Sequence, residues 1–235
     1  MYKFLFLFVC LLGASSAIAQ TKSEIQIGVA IPGGDFADDD FDDAIFNEGK
    51  AGGAATGLSV GYKLLSPIGS ENLFWTISAA FIYNGLNSDW KDEIEDDVED
   101  GDVTFPKYFS IPLLAGLQLE KQVAETMGLY AEAGIGLGLF KATDLKADGS
   151  EDGYRFESET SFDLATGFTY KLGAGLIIND KYTVGLSYLN LGSHRLKYKT
   201  KYDETYEGES YNESEDGKLK KLSISHIGIS LGFRF

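Results

Sequence analysis

Two histidines, His194 and His226, lie in the last fifth of the chain, with Ser193, Ser223 and Ser225 close to them in sequence. Serine beside histidine suits acyl-ester hydrolysis or transfer, in which the imidazole takes the hydroxyl proton as the nucleophile attacks. That chemistry also needs a carboxylate to orient the ring, and none stands out. Two histidines without further ligands do not make a metal site either. They are therefore read as polar residues at a rim, and no catalytic residue, metal ligand or cofactor is assigned.

A second set of residues stands out because each interrupts an otherwise apolar or small stretch. These are Lys63, Gln118, Glu132, Lys171 and Arg234. A third set is the acidic runs. Gly33–Lys50 holds seven acids and one base, and Gly85–Lys107 nine and two. Lys141–Ser161 holds six and three, and Gly192–Lys221 is balanced at seven each. Clustered carboxylates are hard oxygen ligands that suit calcium. No run carries the spaced Asp/Asn pattern and closing Glu of a dedicated calcium loop, so these segments are read as solvated surface. The formal charge of −16 opposes binding to nucleic-acid phosphates.

The elements that must position these residues alternate with period two, the mark of strands with two unlike faces. In the first, Ile25, Ile27, Val29 and Ile31 oppose Gln26, Gly28 and Ala30. In the last, Ile227, Ile229, Leu231, Phe233 and Phe235 oppose Gly228, Ser230, Gly232 and Arg234. Six more such stretches lie between them, making eight. Their connections alternate short and long: Pro67–Glu71, Lys121–Met127 and Ile178–Lys181 are short, and the four acidic runs are the long ones. The small face would be a poor water-facing surface, but it suits the tight interior of an eight-stranded barrel. The bulky face then meets lipid. The pattern predicts an all-β, eight-stranded antiparallel up-and-down transmembrane barrel, with periplasmic turns and long outer loops. Pro112 cannot donate to a ladder, so a bulge or a water-satisfied carbonyl is expected near it.

Residues 1–19 read as a secretory signal peptide: Lys3, then an apolar core from Phe4 to Leu12, then Ala17 and Ala19 before Gln20. The barrel domain is expected to cover 20–235. Cys10, the only cysteine, falls inside the apolar core, so the mature chain is expected to have no thiol chemistry.

The stretches "SIPLLAGLQLE...GLYAEAGIGLGLF", "YTVGLSYLNLGSH" and "GISLGFRF" resemble the small outer-membrane β-barrels, the OmpA-like and OmpX-like eight-stranded family. The resemblance covers essentially the whole mature chain. It implies that the terminal aromatics, Phe233 and Phe235, are read by the barrel-insertion machinery. On this fold Lys63, Gln118, Glu132 and Arg234 fall in the periplasmic half of the lumen and Lys171 nearer its middle. Glu132 is expected to pair with Lys63, Lys171 and Arg234 in a network that plugs the barrel. The last hairpin is expected to rise above the bilayer, with Leu196, Tyr198, Thr200 and Tyr202 opposite Arg195, Lys197, Lys199 and Lys201.

The function expected is that of a non-enzymatic, monomeric integral protein of the Gram-negative outer membrane. It would sit among lipid and lipopolysaccharide and display acidic loops for surface recognition or adhesion, and for envelope integrity. Its ligand would be an extracellular or envelope protein. An accessory barrel of envelope assembly or secretion is the alternative, followed by a lipid A-modifying enzyme and a narrow pore.

Overall fold

The computed structural model describes residues 21–40, 50–96, 98, 101–151, 154–206 and 209–235. The expected signal peptide, with Ala17, Ala19 and Gln20, lies outside the described residues. Eleven strands are described: β1 (Lys22–Gly33), β2 (Gly57–Ile68), β3 (Ser70–Asn84), β4 (Gly101–Thr104), β5 (Tyr108–Ala124), β6 (Met127–Ala142), β7 (Leu145–Glu151), β8 (Tyr154–Phe162), β9 (Ala165–Ile178), β10 (Tyr182–Tyr206) and β11 (Glu209–Arg234). A short 3-10 turn, Gly34–Phe36, follows β1, and one helix, α1 (Ser88–Asp96), precedes β4.

Eight strands close into a ring in the order β1, β2, β3, β5, β6, β9, β10, β11. Every pairing in the ring is antiparallel. β11 closes it on β1 in a ladder running from Glu24 opposite Arg234 to Gly33 opposite Ser225. Closure leaves no strand edge inside the apolar band, where an unpaired backbone group would cost several kcal/mol (about). The outward face carries the bulky set, with Ile27, Leu58, Val60, Ile135, Leu172, Leu186 and Leu231 all exposed. Aromatic pairs mark both ends of this band. Tyr170 and Tyr188 lie at the long-loop end, and Tyr182, Phe233 and Phe235 at the short-turn end. The last residue is tied to β1 by a reciprocal backbone pair with Ser23, each bond 2.9 Å. The β9–β10 turn is tight because Asn179 and Asp180 both adopt positive φ, 52° and 55°. Lys181 N closes this turn on Ile178 O at 3.1 Å, and asparagine and aspartate tolerate the positive φ it requires.

Of the two expectations placed on Pro112, the bulge is not found. The β3–β5 ladder skips Ala80 and Phe81 opposite Pro112 and Ile111, then resumes in the same register. There is an interruption and no bulge. On its other side Pro112 stays in unbroken register with Gly138 of β6, so the missing donor costs local pairing on one side only.

Three of the long connections are more structured than irregular loops. β10 and β11 continue beyond the ring to Tyr206 and Glu209. The extension of β10 pairs on its other side with β8, β8 with β7, and β7 with β4. A five-stranded sheet therefore stands above the barrel in the order β11, β10, β8, β7, β4. On β8, Tyr154, Phe156 and Phe162 oppose Arg155, Glu157 and Glu159, but Ser158 and Thr160 interrupt the apolar side, and β7 adds only Leu145 and Ala147 to it, which weakens the alternation.

Candidate functional site: a lumen filled from both ends

The short-turn half of the lumen holds an ion network. Lys63 reaches three acceptors, Gln118 Oε1 at 2.9 Å, Glu132 Oε2 at 3.0 Å and Glu24 Oε1 at 3.4 Å. The first two are hydrogen bonds, and Glu24 stands at ion-pair distance. Glu132 Oε1 takes Lys171 at 2.6 Å. Glu24 Oε2 accepts from Arg234 Nε at 2.7 Å, and Thr183 donates to its other oxygen at 3.1 Å. Arg234 Nη1 lies 2.9 Å from Glu120 Oε1, close enough for attraction but not aligned as a hydrogen bond. Gln118 Nε2 donates to that same Glu120 oxygen at 2.7 Å, which fixes its amide orientation.

All five expected lumen residues point inward, but they do not gather on one carboxylate. Glu132 pairs with Lys63 and Lys171, and Arg234 belongs to Glu24 and Glu120. The two carboxylates missed on sequence were legible by parity, since Glu24 shares the face of Gln26 and Glu120 that of Gln118. With them three inward carboxylates, Glu24, Glu120 and Glu132, face three inward cations, Lys63, Lys171 and Arg234, and the more exposed Lys22 adds a contact to Glu120 at 3.4 Å. Buried charges persist only when paired in this way. The inward glycines make room for them. A Cβ on Gly173 would meet Glu132 Oε1 at 2.9 Å, and one on Gly232 would meet Glu24 Oε1 at the same distance.

The long-loop half is filled by apolar side chains. Phe36, Trp90, Tyr108, Phe140, Leu191, Leu222 and Ile224 are buried together. Phe36 packs edge-on against Tyr108 and Phe140, at 5.1 and 5.7 Å between ring centres. Asn87 caps α1 by accepting from Trp90 N at 2.9 Å, and the indole donates to Asp39 O at 2.9 Å. Gly53 has φ +56°, and an ideal Cβ there would lie 2.4 Å from the Trp90 ring. Only glycine meets both conditions. Between the two fillings remains a cavity of about 70 Å³, lined by Ser59, Ser78, Ser187, Ser230, Lys171 and His226 among others.

The histidines belong to the apolar filling and not to an exposed rim. Each is 2% exposed. His226 Nε2 lies 3.0 Å from Asn84 Oδ1, and Asn84 gives its amide protons to Ala30 O and Ala55 O. The asparagine oxygen can then only accept, so Nε2 carries the proton. His194 Nε2 likewise donates to Leu191 O at 2.8 Å. Register sets His194 opposite Leu222 and His226 opposite Leu189, so the strands do not align the two rings. Among the described residues no group of three or more His, Cys, Asp or Glu is placed to hold a metal. Much of the first acidic run, 41–49, lies outside the described residues.

Residues 4–235 match the family model for the outer membrane protein beta-barrel domain. The chain belongs to that family and is an integral protein of the Gram-negative outer membrane. No curated protein matches it by sequence. Among solved structures it is similar to Neisserial surface protein A, with 13% identity over 91% of this chain and 95% of that one, at TM-score 0.43. It is similar to Ail, the attachment invasion locus protein of Yersinia pestis, with 16% identity over 92% and 99% at 0.41. It is also similar to OprG of Pseudomonas aeruginosa, with 11% identity over 92% and 94% at 0.39.

Proposed function

We propose that this protein is a non-enzymatic, monomeric surface barrel that presents its extramembrane sheet and acidic loops for recognition of an external or envelope protein. The observation that carries the proposal is the continuation of β10 and β11 past the apolar band into a five-stranded sheet. The sheet costs conformational entropy to order, and it adds nothing to closing the ring. Display explains it. A filled lumen supports the same reading, because a cavity of about 70 Å³ between two seals offers no continuous path. Acyl chemistry is disfavoured because both imidazoles are buried and neither Nδ1, the nitrogen left to act as base, has a hydroxyl partner.

The test is cross-linking on living cells followed by mass spectrometry. Wild type is compared with a variant in which residues 198–217 are replaced by a two-residue turn. External proteins attached to wild type and lost from the variant are the expected result. Periplasmic or secretion proteins that stay attached to both would instead establish the assembly reading.

A further inference from the structure

Register sorts the side chains of the extramembrane sheet into two faces of different chemistry. One face carries Tyr154, Phe156, Tyr198, Tyr202, Tyr206 and Tyr211, and with them Glu204, Glu209, Glu213 and Glu215. It bears no lysine or arginine on any of its five strands. Contacts confirm the grouping. Tyr154 and Tyr202 share a hydroxyl contact at 2.9 Å, Tyr198 donates to Glu215 at 3.2 Å, and Tyr211 donates to Glu209 at 3.0 Å. The other face carries Lys146, Lys197, Lys199, Lys201 and Lys218 among its own acids. The sheet's described ion pairs, Glu159 with Lys146 and with Lys201, lie there.

The free side of β11 borders the aromatic face. From Glu209 to Asp216 β11 pairs with β10 alone among the described residues, and every residue of that stretch is exposed. Tyr206 and Tyr211, at 51% and 59% exposure, stand too far above the apolar band for lipid to cover them. An open edge offers unpaired N–H and C=O groups to another strand. A second copy of this chain would bring carboxylates against carboxylates. A basic strand would bring ammonium and guanidinium groups onto tyrosine faces and glutamates, where ring attraction and ion pairing add. A sugar would leave the backbone edge unused.

We propose that the β11 edge from Glu209 to Asp216, with the aromatic and carboxylate face beside it, docks an extended basic segment of a partner protein by strand addition. The proposal rests on the surface-recognition reading and names the chemistry of its partner.

The full chain in lipid nanodiscs is titrated with a twelve-residue peptide of alternating lysine and threonine. Binding is expected, and Glu213→Gln with Glu215→Gln should weaken it about tenfold, the effect of about 1.4 kcal/mol. Asp203→Asn with Glu157→Gln removes the same charge from the opposite face, away from the free edge, and should change it less than about twofold. A peptide with proline at alternate positions should not bind, because it lacks the donors of a strand. Equal weakening by both double variants, or equal binding of the proline peptide, would show attraction by bulk charge and overturn the proposal. No binding of the first peptide would overturn it too. If external proteins still cross-link to cells in that case, the basic-strand proposal alone has failed and surface recognition stands.

Discussion

The two halves of the lumen share one wall and one inward parity, yet they are filled by opposite chemistry. In the periplasmic half six charged side chains balance one another on strands that the barrel holds rigid. In the outer half the ring alone does not close the space, and Phe36, Trp90 and Leu86 enter from connecting segments. The difference follows from what each end has available. Short turns bring little bulk, so the wall must fill its own interior, and long charged side chains on small neighbours do so. Long connections can fold inward, and apolar side chains there gain about 1.5–3 kcal/mol each by leaving water.

The sharpest way to break this comparison is to unbalance the periplasmic network. Glu24→Ala leaves Arg234 and Lys63 short of a partner and should cost about 3–5 kcal/mol, read from urea unfolding of the barrel in vesicles. Adding Arg234→Met should recover most of that loss. A single variant no weaker than wild type would mean that the network is merely tolerated. Next comes the apolar seal. Phe36→Ala should lose about 3 kcal/mol at its site. Because the loop and α1 can detach without opening the ring, limited proteolysis near Trp90 should rise while barrel unfolding barely moves. Equal losses in both assays would merge the two halves into one cooperative unit.

A smaller effect is expected at Gly192, which holds φ +85° at the irregularity where β10 leaves β9. Gly192→Ala should cost about 1–2 kcal/mol, seen as lowered thermal stability. The smallest effect lies on the sheet above both seals. Its hydrogen bond to Lys146 holds the Glu159 carboxyl below its ordinary range. This group's contribution is therefore present at neutral pH, and it is lost as pH falls through the lowered folded value. Carbon-detected NMR should show Glu159 titrating lower in the wild type than in Lys146→Ala, where the hydrogen bond is gone. The Tyr154 hydroxyl, bonded to Tyr202, is pushed up to about 12 and stays protonated throughout that titration.

Much of the barrel was legible because a membrane wall has to alternate. Ile25 to Ile31 and Ile227 to Phe235 declare their lipid face, and inward Lys63, Glu132 and Arg234 follow from the same parity. Parity also sets Glu24 and Glu120 inward, but that they are the partners of Arg234 was not legible, because which strand lies across the lumen depends on stagger. The three outer strands stayed hidden because they are short and their apolar side is broken, on β8 by Ser158 and Thr160 between Phe156 and Phe162, so the apolar period that marks them is weak. His194 and His226 looked like rim residues because nothing in a linear pattern announces that Phe36, far upstream, lies against His226.

The sequence by itself determined the wall: eight alternating strands, which side meets lipid, and where the short turns fall. These are local properties, set by side-chain period and turn chemistry. The tertiary structure alone decided what fills the wall and what stands on it. Ion-pair partners, the aromatic seal and the β8–β10 pairing join residues far apart in the chain, and their contacts exist only once closure has set the stagger of every strand.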